Sequence, residues 1–485
     1  MLSPLAVIAL VGRLTVLFAL LMLVPLGFAW FDHDRAEHAF VVSTLITAVA
    51  GIAISLATRR FRRELQAKDG FVLVGLTWAV MPAFSALPLM LAIPGLSFTD
   101  AYFETMSGLT TTGATVIVGL DQLPLSVNVW RCLLVLVGGL GIIVLAVAVL
   151  PLLGVGGAQL FKAETAGPMK DQKLTPRIAE TARGLWGVYF GLALACTLGF
   201  RWAGMTWSDA FMHMCATMGL GGFSSHDQSF GFWNSPAIEA VAVLFMMLSG
   251  VNFGLYFVAL KRRSLRVLWG NAEARAFVVV MVASVLFVAA YLQVHGTYPS
   301  FAEALRHSMF NLVSIATTTG FASVDYAQWP VFVPMSMLLL GSFATCAGST
   351  GGGIKMVRML LLVKQSHREL VRIVHPNVVN PVVLGGEAVS PRVMQSVIAF
   401  MMIYGASLTA LSMVLVFLGL EPVTAFSAVI ACLNNIGPGL GEVGPAGNYQ
   451  GLSDLQTWVC TFAMLIGRLE LLSLLVLFTP QFWRR

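Results

Sequence analysis

Thr-Thr-Thr-Gly occurs twice in this chain of 485 residues, in SGLTTTGAT (Ser107–Thr115) and in SIATTTGFAS (Ser314–Ser323). A turn of this kind can direct several backbone carbonyl oxygens toward one point, because glycine adopts backbone dihedrals that other residues resist. A ring of such oxygens can replace the hydration shell of a monovalent cation. Forming a ring requires more than two turns, together with elements that hold them around one axis.

Two further segments share the register of these turns. They are TWSDAFMHMCATMGLGGFSS (Thr206–Ser225) and EPVTAFSAVIACLNNIGPGLG (Glu421–Gly441). In each copy we count from the residue before a shared alanine to the glycine of the turn. The pairs Asp100–Gly113, Asp209–Gly222 and Thr424–Gly437 are each 13 positions apart, and Glu303–Gly320 is 17 positions apart. The difference of four is about one helical turn. The pattern predicts four copies of a short helix followed by a glycine-containing loop.

The composition indicates a polytopic membrane protein. Hydrophobic residues make up 58% of the chain and charged residues 11%, against roughly 25% charged residues in soluble proteins. Apolar runs such as Leu14–Trp30 and Trp130–Leu153 approach or exceed the roughly 20 residues that span a bilayer. The six cysteines lie in apolar segments without CxxC spacing, so we expect neither disulfides nor zinc.

The basic residues predict the orientation. They cluster at 58–69, 161–177, 261–266, 364–372 and the chain end, and the positive-inside rule makes these clusters cytoplasmic. This placement explains the net charge of +6 without nucleic acid. The predicted spans are 5–30, 39–57, 70–92, 127–153, 183–204, 236–260, 274–294, 331–363, 391–418 and 452–479. The sequence thus predicts an all-α protein with ten transmembrane helices and both termini cytoplasmic.

The predicted organisation is a two-helix N-terminal unit followed by four repeats, each consisting of a span, a short helix, a loop and a second span. The units cover residues 1–69, 70–182, 183–272, 273–390 and 391–485. Non-helical backbone at membrane depth is tolerated only when it is buried or lines a water-filled path. Four such loops can therefore close around a pore, with the carboxyl ends of the short helices aiming partial negative charge toward it.

The predicted selectivity filter is the set of four loops. Its residues are Thr110, Thr111, Thr112, Gly113, Leu220, Gly221, Gly222, Thr318, Thr319, Gly320, Asn435, Ile436 and Gly437. The expected ligands are the backbone carbonyls of Thr111, Thr112, Leu220, Gly221, Thr318, Thr319, Asn435 and Ile436. Side-chain variety among the loops is acceptable for such ligands. No loop carries a ring of carboxylates, which argues against a divalent-cation channel.

With its four-loop set, its leading pair of spans and NNIGPGLG (Asn434–Gly441), the chain resembles the Trk/Ktr/HKT superfamily of potassium transporters, most closely the TrkH branch. The resemblance implies four membrane–pore–membrane repeats with one filter glycine each, at Gly113, Gly222, Gly320 and Gly437. It implies K⁺ as the transported ion, with no organic cofactor on this chain, in the bacterial cytoplasmic (inner) membrane. Serine in the first loop accompanies sodium preference in plant relatives, so Gly113 points to potassium. A homodimer and a TrkA-type nucleotide-binding regulatory subunit are the implied partners.

The segment AGSTGGGIK (Ala347–Lys355) interrupts the second span of the third repeat. Four glycines in six residues do not hold a regular helix, so the segment is a candidate two-state element. The resemblance implies a gate of Gly348, Ser349, Thr350, Gly351, Gly352, Gly353 and Lys355. A flexible kink in a packed helix is the alternative. A phosphate-binding P-loop is excluded, because Ile354 follows Gly353 where the pattern requires lysine.

Arg468 in LIGRLELL lies near the middle of the last predicted span, where a charged side chain is costly and usually faces a cavity or a partner. The resemblance implies a position just below the filter, as part of the gate. The alternative is a structural pair with Glu470 or with helix-end carbonyls. Asp100, Asp209 and Glu303 are interpreted as caps of the short helices, and His213 and His307 as packing residues there.

Other function classes fit less well. A secondary transporter with inverted repeats would show units of opposite topology, whereas all four units begin and end on the basic side. An enzyme is not expected, because no HExxH, GxSxG or intramembrane acidic metal cluster occurs. Coupled symport of K⁺ with H⁺ or Na⁺, and a Na⁺-permeable channel, remain open alternatives.

Overall fold

The computed structural model describes residues 4–61, 67–144 and 174–484, and helices form nearly all of its regular structure. Residues 161–173 of the basic cluster at 161–177, part of the cluster at 58–69 and the end of the span predicted at 127–153 lie outside the described residues. One departure from an all-α fold lies among the described residues, a hairpin of Val383–Leu384 and Glu387–Ala388. Gly385 and Gly386 form its turn with φ of 58° and 89°, the conformation that a two-residue hairpin turn favours.

The N-terminal unit consists of α1 (Pro4–Leu21), α2 (Leu23–Asp32) and α3 (Glu37–Ala57). The first two helices form one candidate span and α3 forms the second. A Cβ added at Gly51 would lie 2.8 Å from the backbone nitrogen of Val16. The backbones of α1 and α3 therefore pack closely, in the manner of small residues at membrane helix interfaces.

The same order of elements then occurs four times: a long helix, a short helix, a loop that leads into a 3₁₀ turn, and one to three further helices. The first unit has α4 (Ala67–Ala92), α5 (Phe98–Leu109) and α6 (Leu125–Val144), and the second has α7 (Leu174–Ala203), α8 (Trp207–Gly219), α9 (Pro236–Ser249) and α10 (Phe253–Arg262). After the connecting α11 (Arg266–Gly270), the third has α12 (Ala272–Val294), α13 (Phe301–Ala316), α14 (Phe332–Phe343) and α15 (Met356–Val374). The fourth has α16 (Pro391–Phe417), α17 (Pro422–Leu433), α18 (Asp454–Arg468), α19 (Leu471–Leu475) and α20 (Pro480–Trp483). The 3₁₀ turns are Leu120–Gln122, Ser229–Phe232, Tyr326–Gln328 and Gly441–Val443, with a further one at Val476–Phe478.

The most apolar helices are the least buried, and the short helices that carry polar residues lie in the interior. The short helices α5, α8, α13 and α17 lie in the interior, and in α5 every residue from Ala101 to Leu109 is buried, Glu104 and Thr105 included. The long apolar helices are mostly exposed, and only 28% of the most apolar stretch of α4 is buried. This arrangement suits a protein surrounded by hydrocarbon, in which the polar groups must find their partners inside.

Two predicted spans are wrong in detail, because they are not continuous helices. The span predicted at 236–260 divides into α9 and α10, which meet at 87°, and the one predicted at 452–479 divides after Arg468 with a bend of 110°. At each break, a residue next to the bend contacts a distant segment of the chain. The carbonyl of Gly250 accepts the Cys346 N–H at 3.0 Å, and Glu470, with φ of 54°, pairs with Arg358 at 2.8 Å. The third-repeat break, which was predicted, extends from the end of α14 to the start of α15.

By length and composition, six of the described helices could cross a membrane, or eight if each bent pair counts as one span. Helix α6 and the broken pair α14 and α15 do not meet that test in the part of the chain described. The total of ten spans therefore stays a prediction.

Candidate functional site

The four short helices end with the same hydrogen bonds. In each, an N–H of the loop bonds to the carbonyl five residues back, at 2.8–3.0 Å: Thr112 to Ser107, Gly221 to Ala216, Thr319 to Ser314 and Ile436 to Ala431. The preceding N–H bonds three residues back in every case, which completes a Schellman motif. The four loops are thus in one structural register. The extra turn of the third copy lies within α13, which has 16 residues where α5 has 12.

In the turn that follows each short helix, one residue has a left-handed backbone although it is not glycine. Thr111, Leu220, Thr318 and Asn435 have φ of 54°, 53°, 62° and 55°. Glycine is the usual residue at this position, and a β-branched threonine there is an outlier. Conformations of this kind persist where the surroundings determine them, and they concentrate at functional sites.

Two residues later each loop reaches its glycine, and there it contacts the next loop. A Cβ added at these glycines would lie 2.7 Å from Gly222 N (on Gly113), 2.6 Å from Gly320 C (on Gly222), 2.9 Å from Pro438 Cδ (on Gly320) and 2.7 Å from Thr112 O (on Gly437). The first loop therefore contacts the second, the second the third, the third the fourth and the fourth the first. The predicted filter residues form a closed ring, which we call the loop ring, and none of the four glycines has room for a side chain.

Most of the predicted carbonyl ligands are without partners. Within the described part of the chain, the carbonyls of Thr111, Thr112, Leu220, Thr318, Asn435 and Ile436 accept no hydrogen bond. These residues are buried. Buried carbonyls are nearly always paired with protein or ordered water. A set of unpaired ones on a closed ring is thus suited to a bound cation.

The second loop departs from this pattern. The carbonyl of Gly221 accepts the Phe223 N–H at 2.6 Å, and Gly222 donates its N–H to the carbonyl of Thr319. Unlike the three other glycines, with φ of 82°, 92° and 100°, Gly222 lacks a positive φ. The first and third loops are the most alike, because Thr110 pairs with Thr112 through their hydroxyls at 2.7 Å, and Thr317 pairs with Thr319 at 2.8 Å.

A cavity of about 90 Å³ lies on the side of the loop ring from which the loops leave it. All four ring glycines line it, and so do polar groups of Thr115, Arg131, His226 and Asp227. The cavity gives each loop of the ring access to one common space. It is therefore a vestibule through which a cation could reach the carbonyls.

Charged residues fasten the first loop to the second at the rim of this vestibule. His226 Nδ1 pairs with Asp121, and its Nε2 lies 3.5 Å from Asp209 Oδ1. Asp227 accepts the N–H groups of Gly119 and Leu120 at 3.1 and 3.0 Å. Burial alone lowers the pKa of His226, but the two aspartates outweigh burial and raise the pKa above its ordinary value. Burial tends to raise the pKa of Asp121, yet hydrogen bonds from His226 and Asp227 hold that pKa below its ordinary value.

The predicted gate residues lie on the opposite side of the ring, in the non-helical segment 344–355, which we call the inner loop. It is an interruption of the helix and not a kink within it. The Gly352 N–H donates to Thr318 Oγ1 at 2.9 Å, and the Thr350 hydroxyl donates to the carbonyl of Met218 at 3.0 Å. The inner loop is thus bonded directly to the ends of α8 and α13.

Two cationic side chains hold the inner loop, the buried Arg468 and the partly buried Lys355. Arg468 donates to the carbonyl of Thr350 at 2.8 Å and to that of Gly138 in α6 at 3.0 Å, so it joins the inner loop to the first and fourth repeats. Lys355 donates to the carbonyl of Gly351. Glu470 pairs with Arg358 and not with Arg468. Arg468 therefore contacts backbone carbonyls and not Glu470, which is closer to the structural alternative, and its role in a gate stays a prediction.

The remaining polar residues of the short helices occupy structural positions. Ser97, Thr206 and Ser300 are the N-caps, and each side chain accepts the N–H of the acid three residues on. Asp100, Asp209 and Glu303 therefore lie in the first turn but are not the caps themselves. His213 is buried between the Asp209 carbonyl and Ser224 Oγ, both at 2.9 Å, and His307 stacks on Tyr298 with ring centroids 5.0 Å apart.

Among the ion pairs that sequence reasoning missed at this site, the most deeply buried is that of Arg131 and Glu104. Arg131 and Glu104 meet at 2.7 Å with side-chain exposures of 1% and 0%. Both are charged residues inside apolar segments, which is the signal that singled out Arg468. Applied along the whole chain, that rule would have found them.

Comparisons with known proteins identify the family of this chain. Residues 36–485 match the family model TrkH, described as cation transport protein. Proteins named Trk system potassium uptake protein TrkH from Salmonella typhimurium and Escherichia coli are 44% identical over 480 residues, 99% of each chain. The crystal structure of the potassium transporter TrkH from Vibrio parahaemolyticus superposes with a TM-score of 0.93, at 42% identity and with 100% of both chains covered.

Proposed function

This chain belongs to the TrkH family of cation transport proteins, and from that premise we propose that it takes up potassium through the loop ring. It is a potassium uptake transporter of the Trk system, located in the inner membrane, and not an enzyme. K⁺ is the transported substrate. The finer assignments below are drawn from the residues of this chain.

One observation carries the filter assignment, namely the buried and unpaired carbonyls on a closed ring of four loops in one register. A dehydrated K⁺ needs several oxygen ligands that approach from different sides. The carbonyls of Thr111, Thr112, Leu220, Thr318, Asn435 and Ile436 come from all four loops and meet that need. The carboxyl ends of four short helices add partial negative charge there.

The inner loop acts as the gate in this proposal. It lies between the ring and the broken helices of repeats two, three and four, and its bonds to Met218, Thr318 and Arg468 hold it across the path. Opening requires these bonds to break together, which makes the segment a two-state element. Gly348 and Gly353, with φ of 75° and 79°, give it backbone conformations that a helix lacks.

The assembly follows the family. We propose ten spans with both termini cytoplasmic, the four pore repeats 70–182, 183–272, 273–390 and 391–485 after the unit 1–69, and a homodimer with one pore per subunit. A TrkA-type nucleotide-binding ring on the cytoplasmic side would act on the inner loop through α15, which leaves it directly at Met356.

The test is cation uptake into liposomes that carry the purified protein under an imposed membrane potential. Potassium and rubidium uptake well above sodium uptake is expected. Comparable sodium entry would overturn the potassium assignment and leave a cation channel, and uptake that requires a proton or sodium gradient would establish symport. If no ion moves, the regulatory subunit is added, and continued absence of flux would overturn the channel mechanism.

Gly113→Ser tests the ring itself. Its side chain would press on Gly222, so the K⁺/Na⁺ uptake ratio should fall. Gly119→Ser is the matched control, because Gly119 also has a positive φ, of 72°, but has no atom within 4 Å of an added Cβ. Equal ratios in the two variants would count against the filter assignment.

A further inference from the structure

Behind every loop of the ring, a side chain of the short helix forms a hydrogen bond with the residues that follow the ring glycine, which we call the outgoing limb of the loop. We call these four contacts braces. They are Glu104 to Thr115 Oγ1 at 3.0 Å, His213 to Ser224 Oγ at 2.9 Å, Asn311 to Ser323 Oγ at 2.9 Å, and Ser427 Oγ to the Leu440 N–H at 2.8 Å. Each ends two or three residues beyond the ring glycine. The position is shared, but the chemistry is a carboxylate, an imidazole, an amide and a hydroxyl.

The first brace differs in carrying charge. Glu104 accepts the Thr115 hydroxyl at 3.0 Å, the Val116 N–H at 3.0 Å and the Arg131 Nε at 2.8 Å. Its carboxylate is fully buried. Removing either member of such a pair leaves a buried charge without compensation, which costs far more than loss of one neutral hydrogen bond.

Arg131 extends the first brace into the second loop. Its guanidinium donates to the Ser224 carbonyl at 3.2 Å and lies 4.4 Å from the ring centroid of Phe223. Phe223 and Ser224 directly follow Gly222, the one ring glycine without a positive φ. A single guanidinium therefore fixes the outgoing limbs of two neighbouring loops, including the loop whose backbone departs from the other three.

We propose that Glu104 and Arg131 are positioning residues for ion selectivity, acting through the first and second loops without touching the ion. The inference rests on the proposed function, because it requires the ring to be the filter. Discrimination between K⁺ and Na⁺ depends on the placement and number of the carbonyl dipoles. The braced limbs begin two residues beyond Gly113 and one residue beyond Gly222, so a shift of the limb moves the adjoining carbonyls.

The experiment measures the K⁺/Na⁺ uptake ratio of Glu104→Gln, Arg131→Gln and the double variant in liposomes. We expect each single variant to lower the ratio at least three-fold, and the double variant, which leaves no lone charge, to lower it less than the two singles combined. The matched control is Arg306→Gln. Arg306 pairs with the buried Glu239 at the same distance of 2.7 Å, although its own side chain is 27% exposed, and it contacts Asn234 instead of a ring loop.

A second variant, with a smaller change than loss of a buried charge, keeps the test valid if the Glu104 and Arg131 variants do not fold. Thr115→Val removes the hydroxyl that Glu104 accepts while the ion pair stays, and Thr115→Ser restores a hydroxyl. Valine should lower the ratio and serine should return it toward the parent value. An unchanged ratio in Thr115→Val and in every folded Glu104 and Arg131 variant would overturn the inference.

The two proposals fail in different ways. A parent protein without potassium preference, or with a Gly113→Ser ratio equal to that of Gly119→Ser, contradicts the filter assignment. A selective parent with a sensitive Gly113, but with Glu104 and Arg131 variants that match Arg306→Gln in ratio, contradicts only the positioning role.

Discussion

The loop ring and the inner loop lie next to each other, yet they are held in opposite ways. Each ring loop is closed by bonds to its own short helix, three to five residues away, such as Thr112 to Ser107. The inner loop depends on distant partners: Thr350 bonds to Met218, 132 residues away, and to Arg468, 118 residues away. The turn of each ring loop is therefore set mainly by local structure, whereas the position of the inner loop depends also on bonds to other repeats.

This difference separates two tasks of a transporter. Locally closed loops keep their geometry when helices move, as a selective site requires. A segment bonded to several repeats changes when any one of them shifts, as a gate requires. Substitutions in the ring should therefore lower the K⁺/Na⁺ ratio or block flux, whereas substitutions at the inner loop should change the total flux and leave the ratio unaltered.

The largest expected effect is that of Gly320→Ala in the ring. The added Cβ would lie 2.9 Å from Pro438 Cδ and still closer to the Ile436 carbonyl, in a backbone with φ of 92°. Overpacking of this kind should reduce K⁺ flux roughly 10- to 100-fold. Gly296→Ala, also at a positive φ but in open space, should leave flux unchanged. Parent-level flux in Gly320→Ala would break the comparison, because the ring would then be adaptable.

The next effect is expected at Arg468. Arg468→Gln loses charged bonds to Thr350 and Gly138, so the inner loop should open more often and basal K⁺ uptake should rise by about ten-fold. The K⁺/Na⁺ ratio should stay at the parent value. Arg468→Lys keeps the charge but cannot reach both carbonyls. A rise of basal K⁺ uptake in this variant as well would assign the effect to the lost hydrogen bonds and not to the lost charge. A fall of uptake in both variants at equal protein content would contradict the gating role.

Two threonines of the inner loop sharpen the comparison further. Thr350→Val removes a distant bond, to Met218, and Thr345→Val removes a local one, to Gly352 at 2.8 Å within the same segment. Each hydroxyl contributes about 1 kcal/mol. Thr350→Val should raise basal uptake about three- to five-fold, and Thr345→Val should change it less. The reverse order would show that local structure, and not inter-repeat bonding, holds the inner loop.

The smallest expected effect concerns the contacts of His226 with Asp121 and Asp209, which link the first two loops at the rim of the vestibule. The pKa of His226 is raised in the folded protein by Asp121 and Asp209, so its stabilisation is fully present below the ordinary pKa near 6.5 and is lost as the pH rises through the folded pKa. The carboxylates contribute throughout this range, because the pKa of Asp121 is lowered. Between pH 6 and 8 the thermal midpoint should fall by about 1–2 °C, and His226→Gln should remove that dependence. A midpoint with the same slope in His226→Gln would assign it to other groups.

Local register explains how much of the site could be predicted. The 13-residue spacing of Asp100 and Gly113 identified the helix, the loop and the ring residues, because a helix and its Schellman end are determined within one short segment. The break after Phe343 was also visible, since Gly351, Gly352 and Gly353 are adjacent in the sequence.

Long-range contacts explain what could not be predicted. The breaks after Ser249 and Arg468 occur in sequences that read as continuous apolar spans, and their partners, Cys346 and Arg358, lie far away in the chain. The departure of Gly222 from the other ring glycines likewise depends on Thr319 of the next repeat. Spacing within one repeat carries no information about such contacts. The Glu104–Arg131 pair was detectable as charge in apolar surroundings, but its link to the second loop was not.

The four residues with left-handed backbones have a consequence for how substitutions in this protein should be judged. Thr111, Leu220, Thr318 and Asn435 have similar φ values and the same set of hydrogen bonds, although a hydroxyl, an aliphatic and an amide side chain all occur among them. If backbone carbonyls are the ligands, the effect of a substitution depends on the backbone dihedrals that the new residue can adopt. The functional group of the side chain matters less. A scoring scheme that ranks Thr to Leu as radical and Gly to Ala as mild would invert the order of harm in these loops.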